Sequence, residues 1–347
     1  HHRLKENPII AKQADNGKIK VVRYKSENLI EPLVKDILSA ELRGSVCVLT
    51  YTNDEALQVS GLLLKNGMPA QLIQDNSGFC LLKLDEINFF LSRLHSVEDI
   101  FLIDDDVWEQ AKKELQTVFQ NSSKLESCLG LIRDFETINP KRRYKSDLEL
   151  FIRESKLNDF FGENGETIFV STIHKVKGKE FDHVFLMLNN FNLSSDERIR
   201  QLYVAMTRAR RELTIHLNSD FLDGLSSEAV EHIEDKNDYL PPEELAIHLT
   251  HSDIWLDYFI NRQPQIAQLR SGDTLYVRGD ECLDGNGQSV LKFSRNFMSE
   301  HYERLHRQGY ELKSAMVNFI VYWQSEKVAK EIKIILPELF FERKKIS

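Results

Sequence analysis

Apolar and polar positions divide the chain into three kinds of stretch. Val46–Thr50 (VCVLT) is a short apolar run between Gly44-Ser45 and Asn53-Asp54, the pattern of a strand buried on both faces. Asn53 or Asp54 is the expected cap of a helix whose apolar side is Leu57, Leu62, Leu63 and Leu64, and Ala70–Gln74 reads as the next strand. Strand, helix, strand at this spacing predicts a parallel α/β sheet. From Leu84 to Phe161 the period becomes helical (Phe89, Phe90, Leu94, then Leu115, Val118, Phe119), with a break at Asn139-Pro140. Strand character returns at Thr167–Ile173, Val184–Leu188 and Leu213–Leu217. Asp196–Arg211 reads as a helix capped by Ser194 or Ser195 and striped by Ile199, Leu202, Tyr203 and Met206. One sheet interrupted by a helical insertion is therefore expected.

The last third reads differently. Asp220–Pro242 is acidic and ends in Pro241-Pro242, a linker-like boundary, and Ile254–Ile260 reads as helical. Alternating strands follow at Thr274–Arg278, Ser289–Phe293, Val317–Trp323 and Ile332–Leu336, with a hairpin turn at Asp284–Gly287. They predict a small β-barrel, SH3- or Tudor-like, with Phe297–Arg307 inserted as a helix. Its aromatics Tyr276, Phe293, Phe319 and Trp323 are expected in the core rather than as a base-stacking surface. The expected divisions are 1–83 and 166–222 for the sheet, 84–165 for the insertion, 223–262 for linker and helix, and 263–347 for the barrel.

Composition narrows the class. With 347 residues, 41% apolar and 29% charged, and only 15 Gly and 8 Pro, the chain reads as several folded domains and excludes collagen-like or disordered classes. Cys47, Cys80, Cys128 and Cys282 form no C-x-x-C pair, so reduced thiols of a cytoplasmic protein are expected and not a zinc knuckle. No apolar run approaches the ~18 residues of a membrane span. His248/His251 and His301/His306 have no completing ligand and read as surface histidines. The chain opens on His1-His2 without Met, which reads as the remnant of an affinity tag on a shortened protein.

Net charge is −9, yet Ser171–Arg211 holds Lys175, Lys177, Lys179, Arg198, Arg200, Arg208, Arg210 and Arg211 against four carboxylates, a local +4 that leaves −13 elsewhere. Arg200 and Arg208, eight apart on one expected helix, would share a face suited to a polyphosphate. The glycine in Ile173–Gly178 would let backbone approach a phosphate. These features alone point to contact with phosphate or nucleic acid.

STIHKVKGKEFDHVFL resembles motif V of UvrD/Rep-type superfamily 1 DNA helicases (T-x-H-x-x-K-G-x-E-F-x-x-V) through Thr172, His174, Lys177, Gly178, Glu180, Phe181 and Val184. ERIRQLYVAMTRAR resembles motif VI (E-x-x-R-x-L-Y-V-A-x-T-R-A) through Glu197, Arg200, Leu202, Tyr203, Val204, Ala205, Thr207, Arg208 and Ala209. VCVLTYTNDEALQVSGLLLKNGMPA has the shape of motif IV, and the resemblance covers about residues 18–218.

The resemblance implies the second RecA-like domain of a P-loop NTPase-like motor. Arg208 would be an arginine finger on the γ-phosphoryl, with Glu180 on the nucleotide sugar and Gly178 and Arg200 near the nucleotide. Thr172, His174, Lys175 and Lys177 would face single-stranded DNA, and Tyr203 and Arg200 would hold the motif VI helix. Tyr51 departs from the pattern, standing where motif IV has an arginine that touches the γ-phosphate. No G-x-x-x-x-G-K-S/T loop occurs, so the ATP cradle and its magnesium are expected on a separate first motor half, and the chain alone is expected to be inactive. The implied partners are single-stranded or partly duplex DNA, that motor half, and a protein at the C-terminal barrel, with no membrane. The rival expectation is a non-catalytic docking or nucleic-acid-binding module of helicase-like shape.

Overall fold

In the computed structural model the apolar runs pair into two sheets, one in each of two compact units. The structure describes residues 17–72, 80–94, 102–155, 167–176, 178–224, 230–324 and 330–344. One unit is drawn from His1–Asp75 and Gly165–Leu245, the other from Asn76–Asn164 and Ala246–Ser347.

The first unit holds a seven-stranded sheet of β1 (Lys18–Tyr24), β2 (Val46–Thr50), β3 (Ala70–Leu72), β4 (Ile168–Thr172), β5 (Phe181–Leu188), β6 (Ala209–Leu217) and β7 (Val230–Asp235). The order is β3-β4-β2-β5-β6-β1-β7, and the neighbours pair in parallel. All five residues of β2 are buried, which is why this strand reads as an unbroken apolar run. The helix Asn53–Lys65 leaves β2 toward β3, whereas Asp196–Met206 leaves β5 toward β6, the opposite direction. Right-handed crossovers put the two helices on opposite faces. Leu202 and Ala205 of the second pack into the core with Val184, Leu186, Leu213 and Ile215.

Several expectations change here. Asp196–Met206 is shorter than expected: the chain turns at Thr207 and enters β6 at Ala209, which pairs with Phe181. Its cap is Ser195, and Tyr203 is 57% exposed, so it neither joins the apolar stripe nor anchors the helix. The cap of Asn53–Lys65 is Thr52, in a reciprocal capping box with Glu55. The acidic stretch expected as linker supplies β7, an edge strand beside β1, and Arg23 of β1 pairs with Glu234 of β7. Beneath β1 and β6, the Tyr24 hydroxyl meets His216 Nδ1 at 2.8 Å, His216 Nε2 lies 3.3 Å from Asp36 Oδ2, and Lys20 Nζ donates to Asp36 Oδ1 at 2.8 Å.

The second unit combines helices Asp85–Arg93, Asp105–Val118, Leu125–Ile138 and Lys145–Glu154 with a curled sheet. Trp108 centres the helices, with ring centroids 5.2 Å from Phe90 and 5.9 Å from Phe135, and its Nε1 donates to Glu136 at 2.6 Å. The sheet joins β8 (Glu244–His248), β9 (Thr274–Arg278), β10 (Glu281–Leu283), β11 (Ser289–Lys292), β12 (Tyr310–Trp323) and β13 (Ile332–Arg343) in the order β11-β10-β9-β12-β13-β8. Past β8, Ile254 bridges Phe293 and the Trp255 N–H donates to the Lys292 carbonyl at 2.8 Å, so the sheet curls back on itself like a barrel. Ile254–Ile260, expected as a helix, contributes a 3₁₀ turn over Leu256–Asn261 instead. Buried Glu86 takes hydrogen bonds from Ser122 at 2.5 Å and Ser271 at 3.1 Å, and Lys333 pairs with Asp85 at 2.7 Å, tying helices to sheet within the unit. Phe293 and Phe319 are buried as expected, but Tyr276 is exposed.

Candidate functional site

Sheet pairing sorts the motif residues onto two edges. β5 and β6 begin together, and the Phe181 N–H donates to the Arg208 carbonyl at 2.8 Å, so Glu180 and Arg208 are neighbours at the edge where these strands start. Arg208 Nε donates to the Val204 carbonyl at 2.9 Å, Nη1 to the Lys179 carbonyl at 3.1 Å, and Nη2 to Thr207 Oγ1 at 3.1 Å. These neutral acceptors orient the guanidinium without cancelling its charge. Arg210 Nε donates to Glu180 Oε2 at 3.3 Å. Gly178 has φ +85, with open space where a Cβ would stand, so glycine serves the turn there rather than a crowded backbone approach. Arg200 lies on the helix and Arg208 beyond its end, so the two do not share one helical face.

The same edge has an anchor that the sequence reading passed over. Ser45 donates to Asp182 Oδ2 from both its backbone N–H and its hydroxyl, each at 2.9 Å, and its Oγ accepts the Asp182 N–H at 2.9 Å. Hydrogen bonds from Ser45, helped by Arg211, hold the Asp182 carboxyl below its usual range. Gly44 has φ +98, and a Cβ there would stand 2.5 Å from Asp182 Oδ2. The Gly44-Ser45 pair, read only as a strand boundary, locks the start of β5 to the start of β2.

Thr172 lies at the opposite edge, and His174 and Lys175 follow it in the turn that leads back toward the start of β5. Thr172 ends β4, pairs with Thr50 at the end of β2, and is 6% exposed. The 3₁₀ turn Ile173–Val176 then carries exposed His174 and half-buried Lys175, while Lys177 lies outside the described residues. The eight residues of β5 separate the two edges by ~26 Å at 3.3 Å per residue. Position 51 directly follows Thr50 and so belongs with Thr172, not with Arg208; an arginine there would not share the Arg208 edge. The Tyr51 ring meets Phe191 edge-on at 5.3 Å, and the Arg198 guanidinium sits 5.3 Å from the Tyr51 centroid and 5.6 Å from that of Phe191. Arg198 Nη1 donates to Asn192 Oδ1 at 2.5 Å. Among the described residues, Lys179, Arg208, Arg210 and Arg211 therefore go with one edge and Arg198 with the other.

Among the described residues, no group of three or more His, Cys, Asp or Glu is placed to hold a metal ion, and no helix is long and apolar enough to cross a membrane. His248 pairs with Glu338 at 3.1 Å.

Comparison with known proteins points to the same family. Residues 86–220 match the family described as UvrD-like helicase C-terminal domain. The chain is also similar to the RecB subunit of the RecBCD enzyme from Chlamydia pneumoniae, with 33% identity over 101 residues. That match takes in 27% of this chain and 10% of the subunit, so it spans about a tenth of the relative's length. Motifs V and VI lie inside the matched span, and over residues 86–220 the chain carries a UvrD-like helicase C-terminal domain.

Proposed function

We propose that this chain works as the second motor half of an ATP-dependent DNA helicase. One edge of its parallel sheet closes on a nucleotide held by a companion motor half, and the opposite edge carries single-stranded DNA. The observation that carries this reading is the Arg208 guanidinium, aimed by two carbonyls and a hydroxyl beside Glu180. Its remaining N–H donors suit phosphoryl oxygens, and the Glu180 carboxylate, steadied by Arg210, suits a sugar hydroxyl.

ATP would supply the phosphoryl group whose developing charge such an arginine stabilises. Gly178 and Arg200 belong to the same proposed nucleotide side. Magnesium is assigned to the companion half together with the phosphate cradle. On the strand side, exposed His174 and half-buried Lys175 follow Thr172 at the end of β4, and Lys177 completes that proposed set. Tying both edges to one sheet gives a route by which closure on nucleotide moves the strand track as a rigid body.

The test is Arg208→Ala in the intact parent protein, with DNA-stimulated ATP turnover as readout. A loss of ~10³-fold or more in turnover is expected. Arg208→Lys is expected to restore little, because an ammonium cannot hold the same three acceptors in a plane. Turnover unchanged in Arg208→Ala would overturn the assignment.

A further inference from the structure

The parallel sheet has a second place built for a ligand. The helix after β2 runs toward β3 on one face and the helix after β5 runs toward β6 on the other, so the two connections part between adjacent strand ends. In open α/β sheets the crevice at such a point, beyond the carboxyl ends of the strands, is where ligands bind. Here Tyr51 leaves β2, and Phe191 and Asn192 follow β5. Arg198, from the first turn of Asp196–Met206, reaches back over both rings.

We propose that Tyr51 and Arg198 form a contact for single-stranded nucleic acid, with the Tyr51 ring as a stacking surface for a base and the Arg198 guanidinium as the phosphate contact. The proposal rests on the single-strand track described above and adds two residues to it. The site does not suit a mononucleotide gripped by backbone, as phosphate-binding helix ends do. The N–H groups of Tyr51 and Thr52 already donate to the Glu55 carboxylate at 3.2 and 2.9 Å, and the Glu55 N–H donates to Thr52 Oγ1 at 3.2 Å. Recognition there falls to side chains, and an aromatic ring beside a guanidinium is the pairing that binds single strands without reading sequence. Among the described residues the Arg198 guanidinium lies against two rings and donates through Nη1 to the Asn192 carbonyl and side-chain oxygens, both neutral acceptors, which leaves its Nε and Nη2 donors for a phosphate. Thr172 and Tyr51 stand at the ends of adjacent strands ~4.8 Å apart, and the Arg198 guanidinium lies over the Tyr51 ring, so the three continue one track. Arg198 is two residues from the motif arginine Arg200, and it is the fold that sets its guanidinium over the Tyr51 and Phe191 rings.

Fluorescence anisotropy of this chain with a fluorescein-labelled oligothymidylate, repeated across a salt series, tests the proposal. Arg198→Ala is expected to weaken binding ~5- to 10-fold at low salt and to reduce the slope of log K against log salt by ~0.7, the loss of one phosphate contact on a single strand. Tyr51→Ala is expected to cost ~5- to 150-fold with the slope unchanged, because a stack is lost and not a charge. Arg198→Lys should recover the slope but not the full affinity. Lys65→Ala, at the far end of the helix Asn53–Lys65, should change neither. Thermal unfolding by circular dichroism checks that each variant is folded, and if Arg198→Ala is not, Arg198→Lys and Tyr51→Phe carry the comparison. Wild-type affinity and slope in Arg198→Ala overturn the proposal. If His174→Ala still weakens binding in that case, the strand track stands without Arg198. If the wild-type chain fails to bind at low salt, both readings fall.

Discussion

Asp36→Asn removes one charge from the partly buried chain Tyr24–His216–Asp36–Lys20 while keeping its shape. Burial pushes the Asp36 carboxyl up, but the His216 ring and the Lys20 ammonium outweigh it and bring its pKa from 3.8 down to about 2. A shift of that size corresponds to ~2.5 kcal/mol of stability at neutral pH. Because Lys20 and Asp36 keep 31% and 22% of their side-chain surface, solvent screening brings the expectation nearer ~2 kcal/mol. The folded pKa is the lower one, so this stability is full above 3.8 and lost as pH falls toward about 2. Asp36→Asn should therefore unfold ~2 kcal/mol more easily than wild type at pH 7 and match it near pH 2. His216 is coupled to Asp36, which opposes the effect of burial on the ring. Burial lowers its pKa, so its destabilising term begins as pH falls below 6.5, where the unfolded chain takes up the proton first. Urea unfolding followed by far-UV circular dichroism at a series of pH values gives the free energies. Hydrogen exchange over β1 and β6 shows whether the loss is local to the chain of four. Equal stability at pH 7, or a difference that persists undiminished at pH 2, would refute the reasoning.

Two further substitutions probe what holds the units in shape. Gly44→Ala combines a strained φ of +98 with a Cβ 2.5 Å from the pinned Asp182 carboxylate, so a loss of ~2 kcal/mol or more is expected in urea unfolding, and the Glu180 edge should loosen with it. Trp108→Ala empties the centre of the helical cluster and breaks the bond to Glu136, so a loss of ~3–5 kcal/mol is expected, read as a lower thermal midpoint.

How legible each part was depended on whether its cause is local. VCVLT announces itself because a strand covered on both faces has no polar face to break the run. β1 passed unread because its KIKVVRY pattern mixes buried Val21, Val22 and Tyr24 with exposed Lys18 and half-buried Lys20 and Arg23. The acidic β7 looked like linker because an edge strand keeps a solvated side where Glu231 and Glu234 are at ease. Helix length was misjudged at Asp196–Met206 because Ala, Arg and Leu past Thr207 favour helix, while pairing of Ala209 with Phe181 draws those residues into a strand.

By itself the sequence determined the helicase-like motifs, the alternation of strand and helix, the helical insertion and the turns that need glycine. These depend on residues near one another along the chain, where sterics and side-chain period act directly. Only the tertiary structure decided which motif residues meet. A motif string carries no direction in space, whereas a parallel sheet does: strand polarity sends Arg208 and Glu180 to one edge and Thr172 to the other, with the length of β5 between them. The same sheet brings Tyr51 and Arg198, 147 positions apart, to adjacent strand ends and puts a guanidinium over a tyrosine ring.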